Sequence, residues 1–595
     1  MADPIQPMAV DYDRLEDSIG LNYWEYDPVF REEVSRLYDT ADLEDATARL
    51  ETLGEIVGET IVPNATTVDE NGPELSTHDR DGTVVNEVEY HPAHLENERL
   101  AFEHGCVADS FRAPPGREEP LPLVHSLAAS YMLSYADGGL VCIVSMAAGA
   151  AVVLEDHLED ERLATYHDAF TKREYDELQQ AAMFMTERQG GSDVGTNETT
   201  ATETEEAGVY ELTGEKWFCS NIDADAALTL ARRPDAPDGV SGLSLFVLPR
   251  RKRNGELNDM VYRRLKDKLG TISVPTGEIE LDGAEAYLIG EPEEGFEYMT
   301  DMLNYERITN AVGSAAGIGH NLLRCKIHTA SREAFGKRLR DHPLMRADLV
   351  EMAVRHEAAT VFSFAAARAL DEYQQTGSDS AFRRMRILAS VAKYRTARMS
   401  IETASYAMEV RGGDGYVRGF GHHRAVRDAH VASIWEGTSN VLSLDILRAM
   451  YRNAAHEPVL ADIEEFLSVP EHPVLCELVE EVDAAREGLV ESLGTIATED
   501  PEYAQLYAKR VADYIFDVYT AALLCVRAQE AIDEEGDARR AIVAERFVDT
   551  HLREHEHRNI PSGDRVPLEH FEAIVDFEPM APSKLADEPP ATAED

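Results

Sequence analysis

Apolar residues recur at helical spacing along most of this chain, and one internal stretch follows a different period. Three long segments with helical periodicity, at residues 302–331, 343–374 and 380–410, predict antiparallel helices of a bundle. Between residues 185 and 290 the apolar runs become short and alternating, and Gly, Pro and Asp-Gly turns separate them. That stretch predicts a β domain, so the fold class is α+β with several domains.

The same pattern divides the chain into six regions. They are an N-terminal extension at 1–90, an N-terminal helical domain at 91–184, a barrel- or sandwich-like middle β domain at 185–290, a C-terminal four-helix-bundle-like domain at 291–455, an extra helical domain at 456–575 and an acidic tail at 576–595. The extension is predicted to be irregular apart from a helix at 42–57, and an amphipathic helix is predicted at 155–180. The tail is rich in Pro and acidic residues, which predicts disorder.

The most apolar run of the chain covers residues 140–154. It is too short to span a bilayer as a helix, because a span needs about 20 apolar residues. We therefore expect a buried core helix there and no membrane partner.

The net charge of the chain indicates the salt conditions in which the protein works more than it indicates the fold. The chain has 112 acidic and 56 basic residues, a formal net charge of −56, and the acidic residues are spread along its whole length. Such a charge repels itself in dilute buffer and is screened by molar salt. The composition predicts a halophilic, cytoplasmic protein and disfavours casual binding to nucleic acid or anionic membranes.

The six cysteines lie scattered, with no Cys-x-x-Cys pair and no histidines at metal-ligand spacing. The pattern predicts reduced thiols in a cytosolic protein and no metal site. No Gly-x-Gly-x-x-Gly follows a predicted strand, which argues against a doubly wound nucleotide-binding fold.

Three short motifs are candidates for chemistry. Residues 185–194 read Met-Thr-Glu-Arg-Gln-Gly-Gly-Ser-Asp-Val, residues 409–416 contain Gly-Gly-Asp-Gly-Tyr, and residues 434–440 read Ile-Trp-Glu-Gly-Thr-Ser-Asn. Glycine pairs let a backbone approach a phosphate closely, and a carboxylate in an apolar pocket can act as a general base. Taken singly, each motif has an ordinary alternative, namely a Gly-Gly turn or the start of a helix.

In this order, and with Lys-Trp-Phe-Cys-Ser at 216–220 and Ser-Arg-Glu-Ala-Phe-Gly-Lys at 331–337, the motifs resemble the acyl-CoA dehydrogenase family. The resemblance covers residues 85–450 well. The segment Asn-Glu-Val-Glu-Tyr-His-Pro-Ala at 86–93, the long N-terminal region and the extra C-terminal helices are most similar to the AidB-type branch.

The resemblance implies FAD as cofactor. Thr186 would contact the flavin ring, Trp217 would lie against it, and Cys219, where the family more often has Thr, would lie near flavin N5. The loop at 412–413 would serve the flavin of a neighbouring subunit, which implies a homotetramer. The implied cofactor-binding residues are Met185, Thr186, Gly191, Ser192, Trp217, Phe218, Cys219, Ser220, Arg332, Phe335, Gly412, Gly413, Gly437, Thr438 and Asn440.

The resemblance also implies a reaction, with two candidates for its base. An acyl-CoA dehydrogenase removes an α proton from an acyl-CoA thioester while a hydride leaves the β carbon, and its electrons pass to an electron-transfer flavoprotein. Glu436 in the Trp-Glu-Gly-Thr motif is the favoured base. Glu306 is the rival, because some members of the family carry the base at that place in the helix; its ordinary alternative is a polar helix face.

A second function follows from the AidB likeness: a flavoprotein that binds DNA and protects against alkylation, with weak or vestigial dehydrogenase activity. Residues 451–595 carry 12 basic and 34 acidic residues, a net charge of −22. This sign is wrong for phosphate contacts. DNA binding is therefore the alternative and not the favoured function.

Overall fold

The N-terminal region of this computed structural model, which describes residues 11–554 and 564–586, is mainly helical. Its elements are α1 Tyr23–Tyr26, α2 Pro28–Val34, α3 Thr40–Ile56, α4 Val62–Glu70, β1 Glu74–His78 and β2 Val84–Glu89. The helix predicted at 42–57 is confirmed by α3, whereas the prediction that the rest of the extension is irregular is wrong. Its polar residues cap helices: Asn22 accepts a hydrogen bond from Trp24 N–H, and Asp27 accepts one from Phe30 N–H.

A second group of helices contains the apolar core helix. The helices are α5 Pro92–Glu103, α6 Val124–Ser134, α7 Gly138–Glu155 and α8 Glu161–Phe170. Helix α7 is the one helix in the described residues that is long and apolar enough to cross a membrane, and 89% of it is buried inside the protein. It is a core helix, as predicted. The amphipathic helix predicted at 155–180 is wrong in extent, because Asp160 caps a new helix that ends at Phe170.

The middle of the chain closes into a β barrel. Its strands are β3 Ala181–Phe184, β4 Thr200–Glu203, β5 Val209–Ser220, β6 Ala226–Arg232, β7 Leu243–Pro249, β8 Met260–Leu265 and β9 Thr276–Ile289. The strand order is β3-β6-β4-β5-β9-β7, β8 pairs with β9, and a β6–β7 pairing closes the ring. A closed barrel leaves few strand edges unpaired. The β-rich middle stretch is confirmed, although β3 already ends before the motif at 185–194.

Long helices form the bundle that follows the barrel. They are α9 Gly295–Ser331, α10 Pro343–Thr376, α11 Asp379–Val410, α12 His422–Ala432 and α13 Ser439–Asn453, with a small hairpin of β10 Glu333–Ala334 and β11 Lys337–Arg338 after α9. Gly377 ends α10 in the left-handed conformation with φ of 61°, and the Ser378 side chain caps α11. This two-residue link reverses the chain, so α10 and α11 run antiparallel as predicted.

The C-terminal residues add a further helical layer. It contains α14 His456–Leu467, α15 Pro473–Thr498, α16 Pro501–Glu535, α17 Arg539–His551, α18 Val566–Glu569, α19 Phe571–Val575 and α20 Ser583–Ala586. The disorder expected from residue 576 does not include Met580, which is buried and whose N–H donates to Asp537 Oδ1 over 2.7 Å. The last residues of the expected tail, 587–595, lie outside the described residues.

Buried ion pairs join the two ends of the chain through the bundle. Arg527 in α16 donates to Glu33 in α2 over 2.9 Å, and Arg539 in α17 donates to Glu357 in α10 over 2.9 Å. Arg540 lies beside both carboxylates and is only 1% exposed. Breaking a buried pair by removing one partner typically costs about 3–5 kcal/mol. The C-terminal layer is therefore anchored to the first helices of the chain.

Candidate functional site

A cavity of about 140 Å³ lies between the α6–α7 junction, the middle of α9, α12 and the turn before α13. Both candidate bases line it. Glu306 reaches it from α9, and Glu436 reaches it from the turn between α12 and α13. The two residues were alternatives in the sequence, and the fold places them in one site.

The turn at Glu436 is held through its main-chain carbonyl groups, which accept hydrogen bonds from two cationic side chains. Glu436 has a positive φ of 48°, which is uncommon for a residue with a side chain. Lys393 Nζ donates to the carbonyl oxygens of Trp435, over 2.5 Å, and Gly437, over 2.6 Å. Arg307 Nε donates to the Glu436 carbonyl oxygen over 3.1 Å. Two cations therefore hold the carbonyl groups of this turn and fix where the Glu436 side chain points.

The carboxyl of Glu436 has one direct partner in the cavity. Asn310 Nδ2 donates to its Oε2 over 2.9 Å. Burial raises the pKa of Glu436 to about 7, although Lys393 and the Asn310 hydrogen bond act in the opposite direction. A carboxyl that ionises near neutral pH is suited to act as a general base.

Glu306 is held differently. Its side chain is 5% exposed, Ser145 Oγ donates to its Oε2 over 2.8 Å, and its Oε1 has no hydrogen-bond partner in the described structure. Burial, followed by the negative charge of Glu436, raises the pKa of Glu306 well above its ordinary value. Glu306 is therefore expected to stay protonated at a pH at which Glu436 can be ionised.

The motif at 185–194 lies against strand β5 through a backbone contact. Trp217 N–H donates to the Thr186 carbonyl oxygen over 2.9 Å, and Gly191 lies beside the Thr186 side chain. The loop carrying Met185, Gly191 and Ser192 is thus brought next to β5, as the resemblance implies. Its anchor is a buried ion pair that the sequence did not single out: Lys216 Nζ donates to Glu187 Oε1 over 2.8 Å.

Strand β5 carries a bulge within the motif at 216–220, and this bulge decides which side chains of the motif face outward. Lys216 and Cys219 both point into the barrel, and the register shifts between them. Cys219 is fully buried there, so its thiol is not exposed to a ligand, and the expectation that Cys219 lies near flavin N5 stays a prediction. Phe218 is 53% exposed, and Ser220 Oγ lies 3.1 Å from Thr276 Oγ1.

Trp217 is covered by cations. The Nζ of Lys266 lies 3.8 Å from the ring centroid of Trp217, and the guanidinium carbon of Arg188 lies 4.4 Å from it. Lys266 Nζ also lies 4.4 Å from the ring centroid of Phe218, so Phe218 is distinguished only by being the more exposed of the two rings.

The start of α13 supplies unpaired donors. Thr438 precedes the helix and its side chain makes no capping hydrogen bond. Within the described residues, the N–H groups of Glu436, Ser439 and Asn440 donate to no protein acceptor, whereas Leu442 N–H donates to the Thr438 carbonyl oxygen. Gly437 has φ of 110°, a conformation that suits glycine. Trp435 Nε1 is buried and also has no partner. The N–H groups of Ser439 and Asn440 fit the acceptor atoms of a flavin ring.

A second pocket, of about 480 Å³, collects the remaining motif residues. Arg332, Gly412 and Gly413 line it together. A side chain at Gly412 or Gly413 would meet no atom of this chain within 4 Å, so the backbone there is open to a ligand. Phe335, in the hairpin that follows Arg332, is 98% exposed. Arginine and open glycine backbone fit a phosphate-bearing group, as FAD has.

Several residues of the site were missed by sequence reasoning. Asn310 and Ser145 donate to the two carboxyls, and Lys393 donates to carbonyl oxygens of the turn at Glu436. The three residues lie on three different helices, so the contacts arise only in the folded bundle. The spacing of Glu306 and Asn310, one helical turn apart on α9, was the available signal.

Comparison with known proteins identifies the family. Residues 15–177 match the description "Adaptive response protein AidB N-terminal domain", residues 182–284 match "Acyl-CoA dehydrogenase, middle domain", and residues 293–451 match "Acyl-CoA dehydrogenase, C-terminal domain". The three matches follow one another along the chain and cover the barrel, both cavities and all the motifs.

Individual relatives agree with this result. Acyl-CoA dehydrogenase family member 11 of Caenorhabditis elegans is 31% identical over 439 residues, 72% of this chain and 70% of the relative. The putative acyl-CoA dehydrogenase AidB of Escherichia coli K12 is 32% identical over 410 residues, 66% of this chain and 72% of the relative.

A solved structure extends the likeness to nearly the whole fold. The crystal structure of Caenorhabditis elegans ACDH-11 in complex with C11-CoA has a TM-score of 0.84 and 28% identity, and the match covers 91% of this chain and 94% of that chain. This chain therefore belongs to the acyl-CoA dehydrogenase family, the FAD-dependent oxidoreductases that act on CH–CH groups, and carries the N-terminal domain of the AidB branch.

Proposed function

We propose that this enzyme dehydrogenates acyl-CoA thioesters between the α and β carbons, with Glu436 as the base that removes the α proton. The observation that carries the proposal is the carboxyl of Glu436 in the cavity, oriented by Asn310 over 2.9 Å and with its pKa raised to about 7. At neutral pH such a carboxyl is partly ionised and still basic enough to accept a proton from carbon.

The turn that carries the base also offers a donor for the thioester. The Glu436 N–H has no acceptor in the described protein, whereas the carbonyls of the same turn are held by Lys393 and Arg307. Donating this N–H to the thioester carbonyl oxygen would stabilise the enolate that forms when the α proton leaves. Bound FAD would accept the hydride from the β carbon.

Glu436 is favoured over Glu306 because the two carboxyls have different partners. Burial and the negative charge of Glu436 favour the neutral form of Glu306, and a neutral carboxyl cannot remove a proton. Glu436 has Asn310 as donor and Lys393 as a nearby cation, and both favour its ionised form.

The acyl group is proposed to lie along α9. The cavity lining runs along this helix from Glu306 to Arg324, which at 1.5 Å per residue is about 27 Å. Gly313 and Gly317 lie on this path and leave room beside the helix. This length favours acyl chains of medium to long length, and the ACDH-11 structure in complex with C11-CoA supports that range.

We also propose a homotetramer and an electron-transfer flavoprotein as electron acceptor. Three large apolar side chains next to the second pocket are mostly exposed: Phe335 at 98%, Tyr416 at 87% and Leu344 at 82%. Exposed apolar groups beside an open pocket are typical of an interface. In the proposed assembly this pocket receives the flavin of a neighbouring subunit. All six cysteines are free thiols, which supports a cytoplasmic location.

The alternative of DNA binding has little support from the C-terminal layer. Its arginines are engaged inward or with neighbouring carboxylates, as Arg527 is with Glu33, Arg546 with Asp564 and Arg553 with Glu481. Together with the net charge of −22 for residues 451–595, this leaves few cations for a phosphate backbone.

The test is an anaerobic titration of the purified enzyme in molar KCl with acyl-CoAs of increasing chain length, followed by the flavin spectrum. We expect bleaching by one chain-length class and a loss of at least about 100-fold in the Glu436→Gln variant. A bound flavin that no thioester reduces would refute dehydrogenation. Near-normal reduction in Glu436→Gln, with loss in Glu306→Gln, would move the base to Glu306.

A further inference from the structure

Four carboxyl side chains line the cavity. Asp137 and Asp428 accept hydrogen bonds from Ser273 and Thr271, so Glu306 is the one that dehydrogenation by Glu436 leaves without a role. Removing the α proton uses Glu436, whereas Glu306 has no part in that step. Yet Glu306 is 5% exposed, accepts a hydrogen bond from Ser145 and leaves Oε1 without any partner in the described protein. Leaving a buried polar atom unpaired lowers stability, so the presence of this carboxyl needs an explanation.

Glu306 lies one helical turn from the amide that holds the carboxyl of Glu436. Asn310, which donates to Glu436 Oε2, is four residues after Glu306 on the same face of α9. Residues at this spacing have Cβ atoms about 5–6 Å apart. An acyl chain that presents its α carbon to Glu436 can therefore present its γ carbon, two bonds further on, to Glu306.

We propose that this cavity also isomerises 3-enoyl-CoA thioesters to the conjugated 2-enoyl-CoA form, with Glu436 removing the α proton and Glu306 delivering a proton to the γ carbon. The proposal shares the base of the proposed dehydrogenation and adds a second activity that needs no electron acceptor.

The reaction balances without any co-reactant. The α C–H bond breaks and its proton goes to Glu436; the electron pair forms the new double bond between the α and β carbons. The old double bond between the β and γ carbons supplies the pair for the new γ C–H bond, whose proton comes from Glu306. Glu436 then returns a proton to Glu306, so no atom or electron is gained or lost.

The protonation states suit these roles. Burial keeps Glu306 neutral, and burial opposed by Lys393 and Asn310 leaves Glu436 ionisable near neutral pH. Two carboxyls whose environments separate their pKa values can act as an acid and a base in one site. The unpaired N–H of Glu436 is available to the oxygen of the dienolate intermediate.

The test uses the FAD-loaded enzyme and trans-3-decenoyl-CoA, in molar KCl, without oxygen or an electron acceptor. Isomerisation is followed by the absorbance of the conjugated thioester and, in D₂O, by deuterium at carbon 4 of the product. In parallel, decanoyl-CoA measures flavin reduction. We expect Glu306→Gln to lower the ratio of isomerisation to flavin reduction by at least about 100-fold, and Glu306→Asp to restore part of it.

Controls separate the possible failures. Glu297→Gln makes the same change at an exposed position of α9 and should alter neither reaction. A wild-type enzyme that reduces its flavin but does not isomerise would overturn the inference and leave the dehydrogenase in place. Isomerisation that survives in Glu306→Gln would also overturn it. Isomerisation by an enzyme whose flavin no saturated thioester reduces would support the inference and refute the proposed function.

Discussion

Replacing Asn310 with Ala should move the pH dependence of flavin reduction upward. The amide donates to Glu436 Oε2 over 2.9 Å, and this hydrogen bond favours the ionised carboxyl. Hydrogen bonds to charged groups contribute about 1.5–3 kcal/mol, and one pKa unit corresponds to about 1.4 kcal/mol. Losing this donor should therefore raise the pKa of Glu436 by about 1–2 units.

The size of the rate effect follows from the fraction of ionised base. With a pKa of about 7, Glu436 is about half ionised at pH 7 in the wild-type enzyme. After a rise of about 1–2 units, the rate at pH 7 should fall by about 5–50-fold. Because the base is still present, the rate should recover at high pH.

The assay is stopped-flow reduction of bound FAD by a good acyl-CoA, measured between about pH 6 and 10. Ser314→Ala is the matched control, since Ser314 Oγ donates to Asn310 Oδ1 over 3.3 Å but does not touch Glu436. An Asn310→Ala profile that keeps the wild-type midpoint would refute the role of this amide. A uniform loss at every pH would point to misplaced substrate and not to the base.

Further outcomes are expected elsewhere. Glu306→Gln should stabilise the fold by up to about 3 kcal/mol at pH 7 and by nearly nothing at pH 4. The reason is that the raised pKa of Glu306 lowers the stability of the wild-type protein only above the unfolded pKa of 4.5. Equal denaturation midpoints for the variant and the wild-type protein at pH 7 would contradict this. Lys216→Met leaves Glu187 buried without its cation and should lower the unfolding free energy by about 3–5 kcal/mol, with earlier release of FAD on heating; a change below about 1 kcal/mol would argue against the anchor. Phe335→Asp should weaken the proposed tetramer in sedimentation measurements, and an unchanged mass would remove Phe335 from the interface. Lowering KCl from molar to about 0.1 M should reduce the melting temperature, because the charge of −56 is then less screened; an unchanged melting temperature would refute this.

Hydrophobic period was enough to predict the long helices. The pattern placed the second and third bundle helices at 343–374 and 380–410, and the structure has Pro343–Thr376 and Asp379–Val410. The pattern failed where polar residues can either lie in a loop or cap a helix. Asn22 and Asp27 were interpreted as loop residues, whereas both cap short helices whose apolar faces are too brief to show a period.

The candidate site shows the same division. The motifs located Glu436 and Glu306, but alternation alone could not tell which way Cys219 faces, because the bulge after Lys216 shifts the register of β5. The contacts of Asn310 and Lys393 depend on how three helices cross, which no local pattern encodes. Sequence therefore indicated the groups proposed to react, and only the packing revealed which neighbours shift their pKa values.

The buried arginines of the C-terminal layer have a consequence for how this protein can be shortened. A chain that stopped after the bundle would lose Arg527, Arg539 and Arg540. Glu357 would then be buried without an arginine partner, and Glu33 would keep Arg36, at 3.8 Å, as its nearest arginine among the described residues. Such a fragment would retain every motif but would bury these two carboxylates without the arginines of the C-terminal layer. We therefore expect it to lose solubility or to refold. The C-terminal helices are thus no detachable accessory: the first and last parts of the chain must be inherited, expressed and engineered together.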